Sequence, residues 1–436
     1  MLERSLMVDL MEWKDSPHRK PLILRGVRQC GKTWLLKEFG KRCFKNVAYF
    51  NFERRGQIHT VFEKDLDPKR ILLELSVLGG VKIEPQTTLI IFDEIQGSPE
   101  ALNALKYFCE ENPEYAIAAA GSLLGITLSS QKGFPVGKVD LLELYPCSFQ
   151  EYLGAVDSEL LLYCQDQLEV KPLSGAFLAE LEKHLRDYIA IGGMPEAVHA
   201  FLNSHDMAEV EKIQDAIITT YELDFSKHAP HADIPKLQLL WDSIPVQLGR
   251  ENAKFIYGEV KTGARAKDLE DALRWLTEAG LISIVRRIEK PEIPLNAYAD
   301  RKSFKIYLAD TGLLRRLADV PASSILLNKD IFGEFKGRLV ENFVLQQLKA
   351  MNFRSIYYWT SGNIAEVDFV IQHDREVIPV EVKSGLNVKA RSLKIYREKY
   401  NPSKALRFSM QNLREDNGLL NVPLGLIYNT RTYLGK

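Results

Sequence analysis

The sequence predicts a multidomain α/β protein with a parallel sheet near its N-terminus. Three observations lead to this prediction. The chain has 436 residues, too many for one ordinary domain. A glycine-rich loop follows a short apolar strand at Leu22–Leu24 and opens a helix near Lys32. A further strand, Leu89–Phe92, is apolar throughout, which is typical of a central parallel strand covered on both faces.

Composition narrows the functional classes. Hydrophobic residues make up 46% and charged residues 26% of the chain, as in ordinary globular proteins. The formal net charge is −1, so binding to nucleic acid would have to use a local patch. No apolar run reaches the roughly 18 residues that span a bilayer, and the N-terminal segment lacks a signal-peptide core. The five cysteines contain no CxxC pair. We therefore expect a cytoplasmic protein with free thiols, no zinc site and no membrane attachment.

The N-terminal loop has the spacing G-x-x-x-x-G-K-T, from Gly26 to Thr33. Glycines let the backbone curl around a phosphate, and the amides at the start of the following helix point at the anion. In this spacing Lys32 reaches the β- and γ-phosphates, and the Thr33 hydroxyl binds Mg²⁺. The motif therefore predicts an ATP site whose binding residues include Gly26, Gly31, Lys32 and Thr33.

Two carboxylates follow the apolar strand Leu89–Phe92. Asp93 is expected to hold Mg²⁺ through water, and Glu94 is placed to polarise the attacking water. The next apolar strand ends at Ser122, which is a candidate sensor of the γ-phosphate. A Gly-Ser pair is also a common way to end a strand, so that alternative stays open for Ser122.

A series of segments carries a resemblance to a known family. In chain order they are LRGVRQCGKTWLLKEF, LIIFDEIQ, AAGSLLG, LYPCSFQEYL and YIAIGGMPEAV. Together they resemble the AAA-type P-loop ATPases of bacteria and archaea that carry a C-terminal domain of unknown function, over nearly the whole chain. The resemblance implies an ATPase core over residues 1–150 and a helical lid over 151–225. It also implies that the turn ending at Pro195 touches the adenine, although a plain helix-breaking turn explains that segment equally well.

The same resemblance raises the question of an arginine finger. Relatives often carry an arginine near the position where this chain has Gly137 and Lys138. An arginine finger contributes strongly to phosphoryl transfer. Arg186, on the helix before the Gly-Gly turn, and an arginine supplied by another subunit or a partner are both candidates.

The segment 226–320 has the pattern of a winged helix. Leu269, Leu273 and Leu276 line one face of a helix that stops at Gly280. Another helix precedes it, after a polar segment that contains proline, and a strand and its partner strand follow, which gives two helices and a two-stranded wing. The helix mixes acidic and basic side chains on its surface, so a packing or relay role is favoured over entry into a DNA groove.

Four charged residues of the segment 321–436 form an ordered set. Glu341 lies off the apolar stripe of a helix, and Asp368 lies on a strand. Glu381 and Lys383 share one face of the next strand, because side chains alternate along a strand. This order resembles the PD-(D/E)xK nuclease fold. The resemblance implies that Asp368 and Glu381 bind Mg²⁺, that Glu341 holds a second metal or a metal-bound water, and that Lys383 stabilises the transition state.

Two alternatives to a working nuclease stay open. The charges could be the solvated face of an ordinary hairpin, or the fold could be present without activity, since fold does not imply function. A run of basic residues follows the site and is either a phosphate-binding patch or a solvated helix face. Its members are Lys389, Arg391, Lys394, Arg397 and Lys399.

The sequence thus predicts an ATP- and Mg²⁺-dependent ATPase whose nucleotide state controls a nuclease-like domain. Lys32 and Glu94 are the candidate catalytic residues for ATP hydrolysis, and Asp368, Glu381 and Lys383 are those for nucleic-acid cleavage. The alternative is an ATP-dependent switch or scaffold whose C-terminal domain recognises a partner without cutting it. The candidate partners are ATP, DNA or RNA, another protein and further copies of this chain.

Overall fold

The computed structural model describes residues 2–53, 56–122, 124–126, 137–250, 254–327, 333–362, 364–385 and 391–435. Lys389 of the basic run lies outside these residues. The chain divides into two compact units. The N-terminal unit comprises Arg4–Tyr145 and the short segment Glu278–Leu281. The C-terminal unit comprises Met1–Glu3, Pro146–Thr277 and Ile282–Lys436.

The N-terminal unit is a parallel sheet covered by helices. Its strands are β1 (Leu22–Arg25), β2 (Asn46–Asn51), β3 (Thr88–Asp93), β4 (Ala116–Ala120) and β5 (Asp140–Glu143). Its helices are α1 (Leu6–Asp15), α2 (Lys32–Cys43), α3 (Gln57–Glu63), α4 (Pro68–Gly79) and α5 (Pro99–Glu111). The strand order is β2-β3-β4-β1-β5, and every pairing is parallel. The predicted α/β fold with a parallel sheet is confirmed.

Burial explains why the strands of this sheet are so apolar. Every residue of β3 and β4 is buried, because helices cover both faces of the sheet. Phe52, Phe62 and Phe92 pack edge to face in the core beside these strands. The carboxyl ends of β1, β3 and β4 point the same way, which is the edge where parallel sheets bind ligands.

The C-terminal unit combines helices with a larger sheet. Its strands are β6 (Ile282–Ile288), β7 (Ala299–Leu308), β8 (Ile356–Thr360), β9 (Glu366–His373), β10 (Glu376–Val382), β11 (Ala405–Ser409), β12 (Arg414–Asp416) and β13 (Leu419–Pro423). The helices from 149 to 248 are α6 (Phe149–Val156), α7 (Ser158–Gln165), α8 (Gly175–Ile191), α9 (Pro195–Ser204), α10 (Met207–His228) and α11 (Ile234–Leu248). Those that follow are α12 (Tyr257–Val260), α13 (Ala266–Glu278), α14 (Thr311–Leu317), α15 (Ala322–Leu326), α16 (Gly333–Ala350), α17 (Arg391–Tyr400) and α18 (Thr430–Leu434). No helix of the described segments is long and apolar enough to cross a membrane.

The hairpin expected as a wing belongs to this larger sheet. The strand order is β12-β13-β11-β10-β9-β8-β6-β7. β6 and β7 pair with each other in antiparallel fashion, and β6 also pairs in parallel with β8 through Arg286–Ile288. The strands on either side of residue 320 therefore form one continuous sheet.

The last part of the chain runs α16, β8, β9, β10, α17 and β11. β9 is antiparallel to both β8 and β10, and β11 lies parallel to β10. α16 buries Phe343, Val344 and Leu348, the apolar stripe that its sequence shows. This arrangement places β9 and β10, with their charged residues, in the middle of the sheet.

Candidate functional sites

The glycine-rich loop of the N-terminal unit curls around the ammonium group of Lys32. Lys32 Nζ donates hydrogen bonds to the carbonyl oxygens of Gly26 at 2.8 Å and Val27 at 2.9 Å. The Lys32 residue is only 6% exposed. Gly31 precedes α2 with a φ of 96°, so the loop ends at the helix N-terminus. A cation and a helix N-terminus at one point suit a phosphate group, so the residues fit ATP.

The backbone conformation and the close neighbours of Gly26 leave no room for a side chain at this position. Its φ is 151°, which side chains rarely adopt, and a Cβ there would lie 2.2 Å from the carbonyl oxygen of Leu144. Backbone strain of this kind costs about 1–3 kcal/mol. We expect Gly26→Ala to weaken ATP binding by about 10- to 100-fold, since the loop must shift to accept the side chain.

Titration with a fluorescent ATP analogue measures this loss. Gly137→Ala is the matched control, because Gly137 also has a positive φ, of 74°, but no atom within 4 Å of the added carbon. An affinity of Gly26→Ala equal to that of the control would contradict the role given to the close approach at Gly26.

Asp93 lies at the end of β3 and accepts two hydrogen bonds on one oxygen. Thr33 Oγ1 donates to Asp93 Oδ2 at 2.9 Å, and the Tyr49 hydroxyl donates to the same atom at 2.7 Å. Burial, with the nearby carboxylates of Asp93 and Glu94, raises the pKa of Tyr49 to about 12, so Tyr49 stays a donor. Thr33 and Asp93 thus present hard oxygen atoms side by side, and this pair fits Mg²⁺.

Glu94 and Ser122 are brought together at the carboxyl ends of neighbouring strands. The Ser122 hydroxyl and the Ser122 backbone amide donate to Glu94 Oε2 at 3.3 and 3.4 Å. Gln96 Nε2 donates to the same oxygen at 2.5 Å. Five predicted residues of the ATP site, Lys32, Thr33, Asp93, Glu94 and Ser122, therefore lie at one edge of the sheet, beside the loop of Gly26 and Gly31.

Pro195 lies in the C-terminal unit, at the first position of α9. The turn before it is held by the fully buried Asp310, which accepts a hydrogen bond from the Gly193 amide at 2.6 Å. A Cβ at Gly193 would lie 2.2 Å from the carbonyl oxygen of Cys147. These contacts give the turn a structural role in its own unit, and contact with adenine stays a prediction.

The C-terminal unit brings together Asp368 on β9, Glu381 on β10 and Lys383, which directly follows β10. Lys383 Nζ lies 2.6 Å from Glu381 Oε1, and Asp368 Oδ2 accepts a hydrogen bond from the Val382 amide at 2.7 Å. The Glu381 side chain is 4% exposed and that of Lys383 is 30% exposed. The lysine thus lies between a buried carboxylate and the surface.

Glu341 reaches the same region from α16 and is already paired. Glu341 Oε1 lies 2.6 Å from Arg338, and the Tyr307 hydroxyl donates to Glu341 Oε2 at 3.2 Å. A third cation, after Lys383 and Arg338, comes from β7, since the fully buried Lys305 forms an ion pair with Glu366. Acidic and basic groups are therefore interleaved in this cluster.

Electrostatic effects show how closely these groups interact. Burial raises the pKa of Asp368 well above its ordinary value, and the negative charges of Glu381 and Glu341 add to the effect. Burial also raises the pKa of Glu381, against the opposing effect of Lys383. For Lys305 burial lowers the pKa, but the surrounding carboxylates outweigh it and the net shift is upward. Lys305 thus stays charged and offsets part of the buried negative charge.

Metal binding at this cluster stays a prediction. Within the described ranges, no group of three or more His, Cys, Asp or Glu side chains is arranged to hold a metal ion. Glu341 is engaged by Arg338 and Tyr307. Glu381 Oε2, in contrast, is buried and has no hydrogen-bond partner. The Asp368–Glu381 pair is therefore the part of the set with an atom open to a cation.

Family models match three parts of the chain. Residues 18–153 match the model of an AAA domain. This part of the chain is therefore similar to AAA domains, and it is called the AAA domain from here on. Residues 182–324 and 336–427 match two domains of unknown function, DUF8612 and DUF4143. The AAA domain thus contains the phosphate loop and the Asp93-Glu94 pair.

Similar proteins cover most of the chain. An uncharacterized protein of Mycobacterium tuberculosis is 25% identical over 375 residues, 84% of this chain and 71% of that protein. One of Methanocaldococcus jannaschii is 23% identical over 384 residues, 86% and 77% of the two chains. Among solved structures, the Walker-type ATPase of Pyrococcus abyssi is 15% identical, with a TM-score of 0.44, over 73% of this chain and 96% of that chain. The Aeropyrum pernix Orc1 protein in complex with DNA is 12% identical, with a TM-score of 0.29, over 75% and 94%.

Sequence reasoning missed several residues of both sites. In the AAA domain these are Tyr49, which contacts Asp93, and Gln96, which contacts Glu94. Gln96 stands two residues after Glu94, so its proximity to that residue could have been noticed. In the C-terminal unit they are Lys305 and Tyr307 on β7. Nothing local in the sequence of β7 signals contacts with residues so distant in the chain.

Proposed function

We propose that this chain hydrolyses ATP and uses its nucleotide state to control a nuclease-like, nucleic-acid-binding C-terminal domain. The AAA domain supports nucleotide binding and hydrolysis. The observation that carries the proposed control is the turn Glu278–Leu281, which packs within the N-terminal unit although its flanking segments belong to the other unit.

The turn contacts two loops of the ATP site. A Cβ on Gly280 would lie 3.6 Å from the backbone nitrogen of Val27, which is part of the phosphate loop. A Cβ on Gly125 would lie 2.1 Å from the carbonyl oxygen of Glu278. Gly125 follows the candidate sensor Ser122 by three residues. Movement of either loop on nucleotide binding therefore reaches the turn directly.

The turn continues along the chain into the larger sheet. It joins α13 to β6, and β6 pairs with β8, which in turn pairs with β9. Asp368 lies on β9, next to Glu381 on β10. A shift of the turn is passed through β6 to these strands, in the manner of a two-state element biased by a ligand.

The AAA domain supplies the groups that ATP hydrolysis requires. Lys32 and the loop amides bind phosphate oxygens, while Thr33 and Asp93 would hold the magnesium ion that offsets phosphate charge. Glu94 orients the attacking water and accepts its proton. Placement of these groups at one edge of the sheet lets a bound phosphate meet all of them.

Two features of the C-terminal unit support nucleic acid as its ligand. Helix α16 with Glu341, strand β9 with Asp368 and strand β10 with Glu381 follow one another in the order expected from the resemblance to a nuclease fold. A cavity of about 460 Å³ beside α17 is lined by Lys394, Arg397 and Arg407 against one acidic residue, Glu398. A cavity with excess positive charge suits a phosphodiester backbone.

The internal pairing of the cluster favours a second candidate function. Glu341 is neutralised by Arg338, and Glu366 by Lys305, without any added cation. A cluster compensated in this way can fold and bind without catalysing. The second candidate is therefore an ATP-dependent switch whose C-terminal domain binds its partner without cutting it.

One experiment distinguishes the two candidates. Single- and double-stranded DNA and RNA are incubated with the full chain and Mg²⁺ or Mn²⁺, with and without ATP, and both cleavage and binding are measured. The control is the Glu381→Ala/Lys383→Ala protein. Cleavage that the control lacks supports the nuclease, whereas binding without cleavage supports the switch. Absence of both cleavage and binding would overturn nucleic acid as the ligand.

The cavity beside α17 gives a quantitative prediction. Lys394→Ala is expected to weaken nucleic-acid binding uniformly across sequences and to lower the slope of log affinity against log salt by about 1, since one phosphate contact is lost. Fluorescence anisotropy at several salt concentrations measures the slope. Lys212→Ala is the control, because Lys212 is an exposed lysine on α10, outside the residues that line the cavity. Equal slopes for the two variants would contradict the phosphate contact.

A further inference from the structure

One oxygen of Glu94 carries three hydrogen bonds, and the shortest comes from Gln96. Gln96 Nε2 donates to Glu94 Oε2 at 2.5 Å, while the hydroxyl and amide of Ser122 donate to it at 3.3 and 3.4 Å. We propose that Gln96 is a positioning residue for ATP hydrolysis, which holds Glu94 so that its other oxygen, Oε1, faces the attacking water. The proposal rests on hydrolysis by the AAA domain.

The backbone conformation at Glu94 brings Gln96 close to the Glu94 side chain. Glu94 has a φ of 51°, an uncommon value for a residue with a side chain. It enters the short 3₁₀ turn Ile95–Gly97, in which the Gly97 amide donates to the Glu94 carbonyl oxygen at 2.9 Å. Glu94 and Gln96 therefore belong to one tight turn. This turn places the side-chain amide of Gln96 next to the carboxylate of Glu94.

The side-chain oxygen of Gln96, Oε1, makes no hydrogen bond of its own. Gln96 Oε1 is buried and has no hydrogen-bond partner. Gly121 lies so close that a Cβ there would be 2.0 Å from this oxygen. A buried unsatisfied carbonyl is destabilising, and an apolar side chain of similar length would avoid it. Gln96 therefore lowers the stability of the fold. The hydrogen bond that its side-chain N–H group donates to Glu94 explains why an amide is found there.

Gln96 and the Ser122 hydroxyl are expected to have different hydrogen-bond partners when ATP is bound. The Ser122 hydroxyl is the candidate sensor of the γ-phosphate, and a hydroxyl that donates to phosphate no longer donates to Glu94. Gln96 Nε2 and the Ser122 backbone amide then remain as donors to Glu94, and the bond from Gln96 is much the shorter of the two. Fixing Oε2 leaves Oε1 to accept the proton of the water, and small errors in such placement are costly in rate.

Removal of the donor is the first test. Gln96→Met keeps the side-chain length and loses the N–H group. We expect its kcat to fall by about 10- to 100-fold, with ATP affinity within about 3-fold of wild type and no loss of thermal stability. Gln57→Met, at an exposed position on α3, is the control and should leave kcat unchanged. Fluorescent-nucleotide titration reports binding separately from turnover.

A second variant separates positioning from packing. Gln96→Glu keeps the shape of the side chain, but a carboxylate cannot donate to Glu94 and repels it. We expect its kcat to fall at least as far as that of Gln96→Met, with ATP affinity within about 3-fold of wild type. A role in packing alone would leave the kcat of this equally large side chain near that of the wild type.

The outcomes are distinct. A wild-type kcat in Gln96→Met or in Gln96→Glu would overturn the positioning role while leaving the ATPase intact. Failure of the wild-type chain itself to hydrolyse ATP would overturn the hydrolysis on which the role depends. A low kcat with intact ATP binding in both variants, beside an unchanged kcat in Gln57→Met, supports the proposal.

Discussion

The Glu94→Gln protein is expected to bind ATP with near-normal affinity and to hydrolyse it about 10²- to 10⁴-fold more slowly than the wild type. The amide has the shape of the carboxylate but cannot take a proton from water. The contacts proposed between phosphate and Lys32 with its loop are untouched, since Glu94 contacts Gln96 and Ser122 instead. The variant should therefore lose ATP hydrolysis while it keeps its affinity for ATP.

Steady-state phosphate release and a nucleotide titration check this result. Glu111→Gln is the matched control, because Glu111 is an exposed glutamate at the end of α5. Its kcat should equal that of the wild type. A Glu94→Gln protein that retained its kcat within about 3-fold would show that another residue activates the water, and it would remove Glu94 from the mechanism.

Lys305→Met is expected to lower the free energy of unfolding by about 3–5 kcal/mol, the range seen when one partner of a buried ion pair is removed. Lys305 is fully buried, and its ammonium is paired with Glu366. The charges of Glu341 and Asp368 also act on it. Without the lysine, the burial of these carboxyl groups is no longer offset by a positive charge, and each either stays charged at a cost or takes up a proton.

Urea denaturation of the full chain measures the change, with Lys302→Met as the control. Lys302 lies on the same strand, β7, but is exposed. The carboxylates raise the pKa of Lys305 in the folded protein. Its contribution is thus fully present below the unfolded pKa of about 10.4 and is lost as the pH rises through the folded value. A loss below about 1 kcal/mol near neutral pH would contradict the role of Lys305.

The meeting of the candidate ATP-site residues at one edge of the sheet could be predicted because their signals are local. The phosphate loop, the strand ending in Asp93-Glu94 and the strand ending at Ser122 are short segments whose spacing and apolar runs carry the information. Parallel strands bring their carboxyl ends together, so residues at those ends meet. Tyr49 and Asp93 are 44 residues apart, and their contact depends on the pairing of β2 with β3, which neither segment reveals alone.

The C-terminal unit was harder to predict, because its charged residues are brought together by pairings between segments that are distant in the chain. Alternation along β10 correctly placed Glu381 and Lys383 on one face, where their side chains pair. The ion pair of Lys305 with Glu366 spans 61 residues and joins two predicted domains. The parallel pairing of β6 with β8 likewise joins segments about 70 residues apart. Such long-range pairings depend on tertiary packing, which the local pattern does not contain.

The most direct test of nucleotide control is hydrogen exchange in the Glu94→Gln protein, with and without ATP. This variant should keep ATP bound during the measurement. The proposed control predicts that ATP changes the exchange of the turn and strand Glu278–Ile288, and also of β9 and β10 around Asp368. Changes restricted to the phosphate loop and α2, with identical exchange in β6, β9 and β10, would contradict it and leave the ATPase uncoupled from the C-terminal domain.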